Sequence, residues 1–531
     1  MSHRNHDSEP ADERLADGGL SRARLLRNTA AGAALLGLAP PLFDAASAFA
    51  ASPKKGGTLR VGIIGGGTAE TVNPFLGVTP MDEARIQNLY DPLVLLNADL
   101  SRSPGLALEW SHNKNSTVYE VKLRKGVVFH NGKSFGADDV IYSIRQMAKK
   151  GSAGVPFVSN IRLGELKAVN THTVRIALKT PDADLAGNFV YYNTWIVPVG
   201  QADYKRPVGS GPFKFQSFTP GQQSVFLANK DYWVSGKPYV DSLKIVSIDD
   251  NNARLNALLS GQIDAMASLP TELAKAHAAT RDITVLVAPS PQAMMFYMDT
   301  TKAPYTDPRV TLAMKLIVDR KALVAGAIAG YGSVGNDIVG KGLPFYNKSL
   351  PQREQDIDKA KSLLKAAGQE KMTVELSTSD VFPGFVAAAT LLKQQAKAAG
   401  VTINLKTVPP NSYYNPSLLY LKMPFAETQW PVSSLKFFYL QALAADAPYN
   451  ETHWKSASWN ALLRKAISAP NTATAQGYWN QVQKIQYEKG GYINWTNADW
   501  VDGLSKKVQG LKPSAAGLLG NYRFLDAWLG T

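Results

Sequence analysis

The chain has 531 residues, too many for one ordinary core, and its 45% hydrophobic and 19% charged residues describe a globular protein, not a disordered one. It contains no cysteine, which excludes disulfides, thiolate metal sites and a cysteine nucleophile. The formal net charge is +14; residues 1–50 hold five Lys/Arg and six Asp/Glu, so the remainder carries 52 basic against 37 acidic residues, or +15. These charges are scattered, with no basic stripe interleaved with aromatics, so nucleic acid is not an expected partner. A solvated basic surface accounts for most of the balance, with attraction of anionic solutes as its functional consequence.

Residues 1–50 read as an export signal. A polar leader is followed by "SRARLLRN", a mildly apolar Ala/Gly-rich run from Thr29 to Ala39, and small-x-small sites at Ala46–Ala48 and Ala48–Ala50. The long leader and weak apolar run are similar to a twin-arginine signal, but Ala23 replaces the second arginine of the pair, so the Sec route stays open. No later apolar run has the length of a membrane span. Without a cysteine at the cleavage site there is no lipid anchor, and a freely released protein is retained only behind an outer membrane. The expected location is the periplasm.

The mature chain opens with a strand-like run, Leu59, Val61, Ile63 and Ile64, leading into Gly65-Gly66-Gly67. A dinucleotide fingerprint would need a third glycine where Glu70 stands, and a helix running through Asn73-Pro74. No Gly-Lys-Ser/Thr follows, so the Walker pattern fails too. A strand and a turn are expected, not a phosphate cradle.

Further along, "TVYEVKLR" (117–124) alternates as a half-buried strand, and "ADDVIYSIRQMAKK" (137–150) places Val140, Ile141 and Ile144 on one helical face. "DPRVTLAMKLIVDRKALVAGAIAG" (307–330) predicts a helix capped by Asp307 and closed by Gly330; "DIDKAKSLLKAAG" (356–368) repeats that arrangement. Then 372–379 alternates, 385–400 is amphipathic and 401–408 alternates again. Strand, helix and strand with short links predict a parallel crossover, so at least one domain is α/β.

Catalytic signatures are missing. The histidines, at 3, 6, 112, 130, 172, 277 and 453, show no metal-ligand spacing. "VGSGPF" lacks the first glycine of a nucleophile elbow, and Ser362 and Lys365 have S-x-x-K spacing without partner motifs. No catalytic residue, metal or cofactor is assigned.

From about residue 55 to 510 the motifs come in a familiar order: "LYDPLVLLNADL" (89–100), "LALEWSHNKNSTVYEVKLRKGVVFHNGKSFGADDVIYSI" (106–144), "GSGPFKF" (209–215), "NKDYWVSGKPYVDSLKIVSIDDNNARLNALLSGQID" (229–264) and "APYTDPRVTLAMKLIVDRKAL" (303–323). This series resembles the family-5 extracytoplasmic solute-binding proteins of peptide-type ABC importers. Gly136 replaces the usual threonine helix cap. The Gly209–Pro212 turn, the Asp231-Tyr232-Trp233 aromatics and Arg254, within reach of Asp249 or Asp250, read as structural.

The resemblance implies an α/β, bilobal periplasmic-binding-protein fold of type II with an extra domain, its two lobes joined by a hinge. Domain I would be 53–82, 205–285 and 500–531, the extra domain 83–204, and the second lobe 286–499. It implies a monomer that takes a peptide-like or other small organic solute to an inner-membrane ABC permease with its ATPase. An opine, oligosaccharide or polyamine is the alternative solute. An exported hydrolase on the same scaffold and a chemoreceptor- or kinase-coupled sensor are the rival classes.

Peptide binders of this kind often hold the solute's α-amine with an aspartate in W-x-x-D. The matching stretch is "AETQWPVSSLKFF" (426–438), where Trp430 fits and Ser433 stands in the aspartate's place. Trp430 and Ser433 are the expected solute-facing residues, followed by Tyr297, Trp454 and Trp495. Glu427 and Asp446 are the carboxylates available to substitute. A buried ammonium needs a charge partner, so free-amine dipeptides are expected to bind less well than solutes with a masked amine, carboxylates or hydroxyls.

Overall fold

The computed structural model describes residues 52–65, 67–414 and 419–530; the proposed export signal, 1–50, lies outside the described residues. An eleven-stranded mixed sheet runs through the molecule. Its order is Thr402–Thr407, Thr373–Thr378, Phe425–Trp430, Thr284–Met298, Tyr492–Leu504, Ala265–Met266, Thr58–Ile63, Ser242–Ser247, Gln223–Ala228 and Phe213–Thr219, with Gly332–Val334 also paired to Tyr492–Leu504.

Two of these strands are much longer than the rest. Thr284–Met298 spans 15 residues and Tyr492–Leu504 spans 13, and they pair antiparallel along their length. The register slips between Ala288 and Gln292, at Pro289-Ser290-Pro291, because proline gives the ladder no N–H. On one side of the slip, Ala293 to Met298, Tyr492, Ile493 and Trp495 enter one apolar core. On the other side, Leu286 and Leu504 enter a second core, and Val501 a small third one. The sheet is therefore shared by two lobes, and this strand pair is built into both.

The first lobe's core is continuous with that of the 83–204 segment, whose antiparallel sheet runs Ala107–His112, Val118–Leu123, Thr173–Ala177, Lys167–Asn170. Tyr119, Val121 and Leu123 are buried, as their alternation requires. The helix Ala137–Met147 starts without a side-chain cap from Gly136, but Asp139 accepts from the Gly136 N–H at 2.9 Å. The helix Pro80–Leu89 passes through the 82/83 position and buries Met81, Ala84, Ile86 and Leu89 in the shared core.

Three of the ordered motifs meet at one buried carboxylate. Asp91, from "LYDPL", accepts from Ser210 Oγ at 3.1 Å, Tyr232 OH at 2.9 Å and Trp233 Nε1 at 3.0 Å. Gly209 packs against the Leu89 carbonyl so closely that a Cβ there would sit 1.9 Å from its oxygen. These motifs hold the first lobe together.

The predicted crossover is present: Thr373–Thr378 and Thr402–Thr407 are parallel neighbours linked by the helix Phe385–Lys397. One expectation needs correction and one is narrowed, since Arg254 does tie to Asp249, through its carbonyl. The single helix over 307–330 is two, Pro308–Ile317 and Arg320–Ala327, because the Asp319 side chain accepts from the Ala322 N–H at 3.0 Å and starts a new helix. Arg254 binds the Ile248, Asp249 and Ala267 carbonyls and the Asn251 amide oxygen, while the Asp250 carboxylate caps the helix at Ala253 N.

Candidate solute site

Gly65, after the first strand, is a close-packing position. The Gly65 N–H donates to Asp249 Oδ1 at 2.7 Å, and a Cβ at Gly65 would fall 1.9 Å from Ser247 Oγ. A carboxylate already takes that N–H and would repel a phosphate. Ile64 lies outside the strand and is 41% exposed. Glu70, in the third-glycine position, is buried in an ion pair with Arg85 at 2.5 Å.

Trp430 ends the strand Phe425–Trp430, and Pro431 behind it cannot continue the ladder. The ring is half-buried, edge-on to Phe438 at 5.3 Å and to Tyr449 at 6.1 Å. Its Nε1 donates to Glu451 Oε1 at 3.3 Å. Glu451 also accepts from Thr428 Oγ1 at 2.6 Å and Tyr492 OH at 2.7 Å. Burial pushes this carboxyl up to about 7, against the pull of those three donors. The sequence holds no local signal for Glu451, which is brought to Trp430 only by the fold.

The two substitute carboxylates go elsewhere. Glu427 alternates to the opposite face of the strand from Trp430 and is fully buried; Thr378 Oγ1 donates to one of its oxygens, and Oε1 has no partner. Burial raises its pKa well above the usual carboxylate range. Asp446 is a surface residue with a 79% exposed side chain, 4.0 Å from Arg464.

Ser433 donates its hydroxyl to Tyr191 OH at 2.8 Å, across to the 83–204 segment. Tyr297 and Trp495 are both fully buried in the second lobe's core. Tyr297 OH donates to the Tyr420 carbonyl, and Trp495 Nε1 has no partner. Trp454 is half-buried and edge-on to Trp459 at 5.1 Å. Trp430 therefore meets Glu451 and Ser433 meets Tyr191, on one short stretch, while Tyr297, Trp454 and Trp495 take part in packing. Among the described residues, no group of three His, Asp or Glu is placed to hold a metal ion, and no helix is long and apolar enough to cross a membrane.

The model of bacterial extracellular solute-binding proteins, family 5, matches residues 102–445. The glutathione-binding protein GsiB of Shigella boydii serotype 4 (strain Sb227) is 27% identical over 346 residues, 64% of this chain and 65% of that protein, just under two thirds of the relative's length. The di/tripeptide-binding protein 2 of Pseudomonas aeruginosa (strain UCBPP-PA14) is 24% identical over 451 residues, 77% of this chain and 84% of the relative.

Among solved structures, the periplasmic binding protein DppA from Helicobacter pylori, in complex with the peptide STSA, superposes with a TM-score of 0.77 at 22% identity, covering 90% of this chain and 99% of that one. AgaA from A. tumefaciens R10, in complex with agropinic acid, gives 0.76 at 21% identity with the same coverage. At these identities the structural likeness establishes the bilobal fold.

Proposed function

Because this chain belongs to the bacterial extracellular solute-binding proteins of family 5, we propose that it is the periplasmic solute-binding component of an ABC importer. It would capture a peptide-like or other small organic solute between its lobes and deliver it to an inner-membrane permease, acting as a monomer and without catalysis. The observation that carries this reading is the pair of long strands shared by two separate cores, with Trp430 at the end of a neighbouring strand. One strand pair built into both lobes is a hinge that can open and close by a few backbone torsions near Pro289–Pro291.

The working division is 53–82, 205–285 and 500–531 for the first lobe, 83–204 for its extra domain and 286–499 for the second lobe. Residues 1–50 would be removed on export. Trp430 is the proposed solute-facing aromatic, positioned by Glu451.

Mass spectrometry of the solute that copurifies from the periplasm tests the reading. A peptide-like or other small organic molecule is the expected result, and turnover of that molecule by the pure protein would overturn it in favour of a hydrolase. A non-peptide solute is favoured by Ser433 in the aspartate's place, by the burial of Glu427 and by the pairing of Asp446 with Arg464 at the surface. Calorimetry with Ala-Ala and with agropinic acid separates the two solute classes: weak or no heat with Ala-Ala is expected.

A further inference from the structure

The stretch after Trp430 makes a second set of contacts, and those of Ser433, Lys436 and Phe437 cross to the 83–204 segment. Leu435 and Phe438, in the short helix Leu435–Phe438, are anchored in the second lobe's core. Between them, Lys436 Nζ lies 2.9 Å from Asp182 Oδ2 and donates to the Asp184 carbonyl at 2.9 Å. The Lys436 and Asp182 side chains are 10% and 6% exposed. The Phe437 ring stacks on Phe157 at 5.1 Å and lies 4.6 Å from Tyr191; Phe157 and Tyr191 are 4.5 Å apart. Ser433 bonds the same Tyr191 through its hydroxyl. Asp184 is in turn held by Arg102.

We infer that Ser433, Lys436 and Phe437 form a latch that closes the second lobe onto the extra domain without help from a solute, and that Ser433 serves this latch instead of gripping the solute. The division of labour follows from the chemistry. Stacked aromatic rings, freed of water, supply net attraction. A buried ion pair breaks even against its desolvation, but it fixes the register in which the lobes meet. The serine hydroxyl makes a neutral hydrogen bond to Tyr191, where an aspartate would bring a third carboxylate near Asp182 and Asp184. Leu100, in the turn before Ser101, packs against the second lobe's core as a separate point of contact. With each of these contacts made protein to protein, the closed form is populated before solute arrives, and solute binding adds only its differential affinity for that form.

The inference rests on the two-lobe fold and is independent of which solute is bound. Its test is small-angle scattering of the full chain, with mass spectrometry verifying that no solute remains bound. The wild type should have the compact radius of gyration of a closed form. Lys436→Met and Asp182→Asn, changes on opposite lobes, should each shift it to larger values, and the double variant should add nothing further. Ser433→Ala and Tyr191→Phe each remove one hydrogen bond, keep the fold intact, and should give a smaller shift in the same direction. A wild type that is already extended, or variants that remain as compact as the wild type while unfolding cooperatively, would overturn the latch.

Discussion

Glu451 shows how much one buried carboxyl organises. Three donors from two strands, Thr428 and Trp430 on one and Tyr492 on another, converge on it. Glu451→Ala would leave them unpaired in the interior, at about 1–3 kcal/mol for each donor that finds no water. Glu451→Gln keeps the shape and one acceptor oxygen and is expected to lose much less. Denaturant midpoints of the two variants, with tryptophan emission as the probe, check this order. Arg85 is the corresponding residue of the first lobe, buried between Glu70 and Asp82 with Ser224 on its Nε. Arg85→Leu strands two buried carboxylates and should cost about 3–5 kcal/mol by the same measurement.

At the scale of elements, the break in the 307–330 helix is instructive. Its apolar periodicity continues through Ile317 and Leu323, and neither proline nor glycine interrupts it there. The chain stops because Val318 turns extended and Asp319 offers a cap. Asp319→Ala removes that cap and should lower stability by about 0.5–2 kcal/mol, read from thermal or denaturant unfolding. The 372–408 crossover was legible because two alternating runs flank one amphipathic run with short links. The slip at Pro289–Pro291 was not, because its meaning depends on which strand lies beside it.

The whole molecule titrates with a characteristic shape. Glu451 and Asp502 are buried carboxyls raised to about 7, and Glu427 is raised too, each chiefly by burial. Such groups keep their protons longer in the folded state, so stability falls as pH rises from about 4, the unfolded value, to about 7. Each tenfold difference in proton affinity between the folded and unfolded chain is worth about 1.4 kcal/mol. Lys315 works in the other direction: burial lowers it to about 8, so the unfolded chain binds its proton more tightly and stability recovers as pH rises from about 8 to about 10.5. Asp264 and Asp337 are held below the usual carboxylate value by their cationic partners, and they lose stability as pH falls below about 4. Thermal unfolding from pH 4 to pH 10 should therefore show a maximum near pH 4–5 and a shallow minimum between pH 7 and 8. The cognate solute at about 100 times its dissociation constant should raise stability by about 2.7 kcal/mol at any of these values.

The sequence by itself determined the α/β class, the parallel crossover, the buried faces of its regular elements and, through a long ordered series of motifs, the family. These are properties of local periodicity and chain order, and they survive in one dimension. It also offered Trp430 and the missing aspartate as candidates, because both sit in one short stretch. Only the tertiary structure decided what those residues touch. Glu427 lost its candidacy because strand alternation points it to the opposite face from Trp430, and Asp446 because it lies on the surface. Glu451, Tyr191 and Asp182 gained their roles from positions 21, 242 and 254 residues away from their partners Trp430, Ser433 and Lys436. Burial and partnership at that separation depend on how the lobes pack, and no pattern along the chain encodes them.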